Sequence, residues 1–464
     1  MDIPRKGQTV ELEIERMAYG GKGLARIDNF VVFVRGAVPG DRVRAFISKK
    51  KRGFAEARVV ELLSPSPDRV DAPCHYSPYC GGCQWQHIRY ETQLSYKRSH
   101  VKEAVEHIGG LMDIPVHPVL PSKKQFAYRN KMEFSFSDRP WLLPEEMERG
   151  GTRGSFALGL HIPGAYQKVL DMDACLLQEQ TGNEILRSVK RFAGESGAPI
   201  YGLKSHQGFW RFLTLRYSVA FDQWMVNVIT SEERPDIMVS LAEDLASQFP
   251  NIATVANNIN SRKASIAIGQ QEKVYQGKGF IKDRIGRLTF RISPNSFFQT
   301  NSGTAEDLYG QVVKYAELSP TDRVLDLYSG TGTIPLFLAG HAQDVVGIEI
   351  VESAVMDARK NALANHIDNC RFICGDIREE MKSLSHRPQV LIIDPPREGM
   401  HKEVPAQILD LAPERIVYVS CNPTTLARDL ALLAQRYEIL EIQPVDMFPH
   451  TYHIEAVARL VRKG

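Results

Sequence analysis

The chain has no apolar run approaching the ~20 residues a membrane-spanning helix needs, and its first residues, MDIPRKGQTVELEIE, lack the apolar core of a signal peptide. A cytoplasmic location without membrane attachment is therefore the expectation. Net charge is only +2, so the protein as a whole is not a polycation. No internal repeat or low-complexity segment is evident, which leaves solenoid and tail-like architectures without support. Cysteine is sparse and odd in number, seven in 464 residues, and without a secretion signal this argues for reduced thiols, metal ligation or catalysis rather than disulfides.

What is present is ordinary globular material, 43% hydrophobic and 24% charged, in a chain about three times a typical domain length. Over residues 1–62, short runs such as TVELEIERM and FVVFVRG alternate apolar and polar positions between GGKG and PGD turns, a period of two that predicts a small antiparallel barrel. This stretch carries 13 lysines and arginines against 8 acidic residues, a weak pointer to an acidic partner such as nucleic acid. Its basic run SKKKRG (48–53) reads either as a solvated hairpin tip or as a phosphate-contacting loop. SPSPDRVDAP (64–73) reads as a linker. A cysteine-rich knot follows, then the helical YETQLSYKRSHVKEAVEHIGG. Residues 128 to about 285 read mostly as strands, including FLTLRYS, WMVNVIT and KASIAIG, interrupted by the polar loop SDRPWLLPEEMERGGTRGS. After SPNSFFQTN strands and helices alternate to the end, which specifies a mainly parallel sheet covered on both faces, with ligands at the carboxyl ends of its strands.

VLDLYSGTGTI runs a strand into a Gly-x-Gly turn, where Gly330 and Gly332 permit close backbone approach to a ligand. The third glycine of the dinucleotide fingerprint is missing. Glu349, 19 residues after Gly330, ends the next strand and can accept both hydroxyls of a ribose. Asp376 and Asp394 end the two strands after that; such acids also serve as plain helix caps. The arrangement resembles class I S-adenosylmethionine-dependent methyltransferases. Cys421, in YVSCNP, sits at a later strand end on the same ligand face, where a thiolate can attack a substrate ring, although a lone cysteine is also a common core residue.

DPPREG (394–399), YVSCNP (418–423) and FPHTYHIEAVARL (448–460) together resemble the RNA uracil-C5 methyltransferases, which make 5-methyluridine. The resemblance implies Cys421 as the nucleophile that adds to uracil C6 and Glu455 as the base that takes the C5 proton. It extends to SFFQTN, with Gln299 at a donor-binding position, and to YRNK (128–131). Tyr328, Gly330, Gly332, Glu349 and Asp376 fall at further donor-binding positions, and Asp394 lies where donor and base should meet. Family members often have cysteine where this chain has Ser329.

The same resemblance covers nearly the whole chain. It implies a multidomain α/β protein with a TRAM RNA-binding barrel, OB-like, at 1–62. A β-rich central domain follows at 63–285, and a Rossmann-like S-adenosylmethionine-dependent methyltransferase domain at 286–464. The helical segment at about 90–116 is expected to pack on the catalytic domain. Cys74, Cys80, Cys83 and Cys175 suit a [4Fe-4S] cluster or a zinc ion; the family's cluster-bearing members share this spacing, and a TRAM domain together with a cluster points to 23S ribosomal RNA, with the tRNA T-loop as alternative and a monomer as the expected state. A target uracil in structured RNA would have to be flipped out of its stack. Arg129 and Lys131 are read as RNA contacts or a structural ion pair, Trp85 as a stacking platform or core residue, and Cys370 with Cys374 as core. A radical enzyme is disfavoured because five residues lie between Cys74 and Cys80 where its cysteine run needs three, and because a fourth ligand is available. A non-catalytic RNA-binding or assembly factor would not need Cys421.

Overall fold

The computed structural model describes residues 4–464 other than 78, 149–154, 264–265 and 385–386, and at 166 the backbone only. Alternation in the N-terminal segment produces six strands, from Thr9–Glu13 to Phe54–Ser64, hydrogen-bonded in the order first, fifth, sixth, fourth, third, second. Alternate residues such as Val32, Val34, Val43, Ala45 and Ile47 point into one small core. The sheet curls on itself, because Glu15 N–H donates to the Leu24 carbonyl at 2.8 Å beyond the end of the first strand.

The central sheet has eight strands between Lys131–Ser137 and Gln271–Gly277. Two helices that the strand reading of this region missed, Gln180–Glu195 and Pro235–Gln248, cover it. The first buries Ile185, Leu186, Val189 and Ala193, a helical stripe rather than an alternation. KASIAIG is not a strand in its described part: Ile266 and Ile268 are exposed, and the chain bends where Gly269 passes close to the backbone of Asn258 and Ile259. Pairing begins only at Gln271. The expected loop at 137–155 contains a short strand, Pro140–Trp141, and a helix, Pro144–Glu148, and its residues 149–154 lie outside the described residues.

The third sheet has seven strands. Arg323–Leu327 lies between Asp344–Glu349 and Val390–Ile393, Cys370–Cys374 forms one edge, and Arg415–Ser420 follows Val390–Ile393. These five are parallel; Glu455–Arg462 then inserts antiparallel between Arg415–Ser420 and the other edge strand, Tyr437–Val445. Strand order reverses on either side of Arg323–Leu327, which creates the crevice where doubly wound sheets take ligands. A hairpin, Ile281–Ile285 with Leu288–Ile292, packs its buried face into the same core.

The helix Tyr90–His107 packs on this sheet while also touching the barrel that precedes it in sequence. Val101, Ala104 and Val105 join the core formed with Leu426, Ala427 and Leu430 of the helix Pro423–Leu433. Its Lys97, fully buried, donates to Asp446 Oδ1 at 2.5 Å and to the Phe448 carbonyl at 3.0 Å, while Tyr90 OH donates to Asp446 Oδ2 at 3.0 Å. Removing one member of such a buried pair strands the other charge, at a cost of about 3–5 kcal/mol. No helix among the described residues is long and apolar enough to cross a membrane.

Candidate active site at the carboxyl ends of the third sheet

The strand Arg323–Leu327 ends in a turn that only unusual backbone angles can make: Tyr328, Gly330 and Gly332 all have positive φ, at 67°, 53° and 81°. A Cβ on Gly332 would lie 2.8 Å from the Phe372 ring, so glycine is required there twice over. Glu349 braces the turn by accepting from Gly330 N–H at 3.0 Å and Val351 N–H at 2.9 Å. Asp376 caps the short helix Ile377–Glu380 and pairs with Arg378 at 2.5 Å, which holds its carboxyl down at about 2. The helix-cap reading of a strand-end acid thus describes one function of Asp376. Gln299 is buried, with its carbonyl accepting from Asn130 Nδ2 at 2.9 Å, so the YRNK segment anchors the SFFQTN loop through its asparagine.

One acid in this crevice escaped the sequence reading. Asp326 is buried inside the strand, its Oδ1 has no hydrogen-bond partner among the described residues, and burial, with Asp394 and Glu349 nearby, raises its carboxyl well above the usual range. Ser329 Oγ is likewise buried and unpartnered. The signal was an aspartate at an otherwise apolar strand position. Asp394, just beyond Val390–Ile393, is pushed up to about 7 by burial. A buried carboxylate oxygen without a partner, as in Asp326, suits a cationic ligand, whose charge would favour the ionised form.

Cys421 follows the last residue of Arg415–Ser420. Ser420 pairs with Ala456 across the antiparallel ladder, so Cys421 faces Glu455, the first residue of its strand. Asn422 then caps the helix Pro423–Leu433, accepting from Thr424 N–H at 3.1 Å, with proline at the first helical position. Its Nδ2 donates to the Arg397 carbonyl at 3.0 Å, which ties this turn to the 394–399 loop. Burial, then Glu455 and Asp394, push the Cys421 thiol up to about 12, against the opposing pull of Arg397. Glu455 is buried and raised well above its ordinary range by burial and by Asp394. Two carboxylates and one thiol therefore act on one another beside one arginine.

The four other sequence-selected cysteines, Cys74, Cys80, Cys83 and Cys175, line a single cavity of about 570 Å³ together with Arg129 and the glycine turn of the barrel. Burial and mutual repulsion raise Cys83 to about 12 and Cys175 to about 11. Among the described residues no three His, Cys, Asp or Glu side chains form a group that could hold a metal ion. Trp85 is a core residue: fully buried, it donates from Nε1 to the Gly21 carbonyl at 3.4 Å. Lys131 pairs with Glu133 at 3.7 Å, whereas Arg129 Nε is buried with no partner among the described residues. Cys370 is half-buried but Cys374 is exposed, because their strand lies at the sheet edge.

Residues 222–463 match the family profile described as tRNA (Uracil-5-)-methyltransferase, and residues 5–60 match the TRAM domain. The chain is 45% identical to an uncharacterised RNA methyltransferase of Chlorobaculum tepidum over 98% of this chain and 96% of that one. A second, from Halalkalibacterium halodurans, is 37% identical over 99% and 98%. Among solved structures, the Pyrococcus abyssi tRNA (uracil-54, C5)-methyltransferase in complex with S-adenosyl-L-homocysteine is similar with a TM-score of 0.75 and 29% identity, covering 97% of this chain and 100% of that one.

Proposed function

Because the chain belongs to the tRNA (uracil-5-)-methyltransferase family, and so is an S-adenosylmethionine-dependent RNA methyltransferase, we propose that it methylates C5 of a uridine in RNA by covalent catalysis through Cys421. The observation that carries this reading is the register that brings Cys421, one residue past the end of its strand, level with Glu455, the two acting on each other together with Asp394. S-adenosylmethionine supplies the electrophilic methyl group. The Cys421 thiolate adds to uracil C6, and the C5–C6 π pair attacks the methyl carbon from C5, so that the C5–CH3 bond forms as the S–CH3 bond breaks and neutral S-adenosylhomocysteine leaves. Glu455 afterwards removes the C5 proton; that electron pair restores the C5–C6 bond and expels the thiolate. A carboxylate with a raised pKa is the stronger base for this step. Burial and Asp394 raise the Glu455 carboxyl, and Arg397 pulls it the other way.

Gln299, Tyr328, Gly330, Gly332, Glu349 and Asp376 are assigned to the donor, with Asp394 between donor and base. Asp326 joins them on the strength of its unpartnered oxygen. Cys74, Cys80, Cys83 and Cys175 are assigned to a [4Fe-4S] cluster. All four line one shared cavity, and thiolates are the ligands such clusters take. Bound there, a cluster would staple the irregular cysteine segment to the central core, and the methylation steps make no use of its redox chemistry.

The division into a barrel at 1–62, a central domain at 63–285 and a catalytic domain at 286–464 belongs to the same reading, as do a monomeric state and a cytoplasmic location. The substrate is assigned as 23S ribosomal RNA, from the TRAM domain and the cysteine set. Transfer RNA is the second reading, favoured by the Pyrococcus abyssi structure. The test is incubation of unmodified ribosomal and transfer RNA with the protein and deuterated-methyl S-adenosylmethionine, followed by mass spectrometry of the nucleosides. Labelled 5-methyluridine from the ribosomal pool is expected; label only in transfer RNA selects the second reading, and none in either pool removes both.

A further inference from the structure

The barrel touches the catalytic turn directly. Its second and third strands, Arg16–Ala18 and Lys22–Ile27, are joined by Tyr19, Gly20 and Gly21, with both glycines at positive φ, 100° and 82°. A Cβ at Gly21 would come within 3.1 Å of the Tyr452 ring and 3.4 Å of Trp85 Nε1, so the turn is seated against the loop that leads into Glu455. Arg16 pairs with Glu103 at 2.6 Å and His100 Nε2 meets the Met17 carbonyl at 3.0 Å, which fixes the same hairpin to the helix Tyr90–His107. The hairpin is therefore held from three sides.

Tyr19 projects from it toward the site. Its ring makes edge contacts with Tyr452 and His100, at 5.5 and 5.7 Å between centroids, and its hydroxyl reaches Asn422 Oδ1 at 3.3 Å, one residue from Cys421. That oxygen already accepts from Thr424 N–H and Thr424 Oγ1 at 3.1 and 2.8 Å, so the tyrosine is a third and longest donor on an atom with two lone pairs. The residue meanwhile keeps 38% exposure beside the turn that carries Cys421. A half-exposed aromatic on a rigid turn is a platform for a nucleobase, and every base has a face it can accept.

Resting on the reading of Cys421 above, we propose that Tyr19 is a positioning residue at the active-site mouth, its ring stacking on a nucleotide adjacent to the target uridine so that the N-terminal barrel sets the approach of that uridine to the thiol. The barrel would then act on the catalytic step and not only on affinity for RNA.

The experiment compares wild type, Tyr19→Phe, Tyr19→Ala and Tyr19→Trp with in vitro transcribed 23S and transfer RNA. Tyr19→Phe keeps the ring and should stay within about threefold of wild type in kcat/KM. Tyr19→Ala should lose about ten- to a hundredfold in kcat/KM, with RNA affinity by filter binding changed less than threefold and an unaltered melting curve. Unchanged kcat/KM in Tyr19→Ala, or a loss matched by equal loss of RNA affinity, overturns the proposal. Tyr19→Trp gives a readout free of methyl transfer: stacking predicts saturable quenching of its added fluorescence by RNA, and absence of quenching overturns the proposal. Quenching from a protein that forms no 5-methyluridine would sink the reading of Cys421 while upholding the platform.

Discussion

Two groups of thiols are driven to similarly high pKa by different surroundings. Cys421 stands at the tip of a strand in a regular sheet, and after burial its opponents are carboxylates, Glu455 and Asp394. Cys83 and Cys175 stand in irregular chain against the central core, and after burial their chief opponents are other cysteines. Each environment holds an arginine, Arg397 near Cys421 and Arg129 in the four-cysteine cavity, and in each burial still outweighs it. The difference lies in the neighbours that raise each thiol further: carboxylates beside Cys421, and other thiols in the four-cysteine cavity. One arrangement suits a nucleophile and the other a structural ligand set.

The sharpest way to break this contrast is Cys421→Ala. It should lower 5-methyluridine formation by at least about 10⁴-fold while iron content, melting temperature and RNA affinity stay at wild-type values. Residual methylation near wild type would remove Cys421 from the chemistry. Next in size, Glu455→Gln should slow turnover by about 10²–10⁴-fold and accumulate a covalent protein–RNA species visible on a denaturing gel, because the methylated adduct retains its C5 proton. Normal turnover without an adduct would assign the base elsewhere. On the other side of the comparison, Cys83→Ser should abolish iron binding and cut the melting temperature by roughly 5–10 °C; equal iron content in wild type and variant would refute the ligand assignment.

The smallest effect concerns charge alone. Asp394 has its pKa raised to about 7, so it gains its negative charge as pH climbs through that value, and a cationic donor prefers the ionised form. Affinity for S-adenosylmethionine, measured by calorimetry, should therefore fall about tenfold for each pH unit below 7. S-adenosylhomocysteine, without the sulfonium charge, should respond less. Parallel curves for the two ligands would show that Asp394 does not sense the sulfonium.

Much of the catalytic sheet was legible because strand, turn and helix follow one another within a few residues: the glycines at 330 and 332, and the acids at 349, 376 and 394, all lie where a strand must stop. Asp326 was not legible, since an acid inside an apolar strand looks like noise until its oxygen is seen to lack a partner. The helices Gln180–Glu195 and Pro235–Gln248 were hidden by neighbouring strands, and KASIAIG alternated without any ladder to join. Tyr19 lies beyond any local reading; its partner Asn422 is 403 residues away. Glu455 came from resemblance, and only the antiparallel register explains why it faces a cysteine 34 residues earlier.

The buried lysine of the helix Tyr90–His107 has a consequence for how the protein is made. Lys97 and Asp446 are separated by 349 residues. At ribosomal speeds of about 5–20 residues per second, the helix leaves the ribosome roughly 20–70 s before its counter-charge exists. During that interval its apolar face and its ammonium group have no home, and the last strand, Glu455–Arg462, has yet to slide between its neighbours. The nascent chain thus carries an unfinished surface through most of its synthesis, and the same late event that closes it also delivers Glu455 to Cys421.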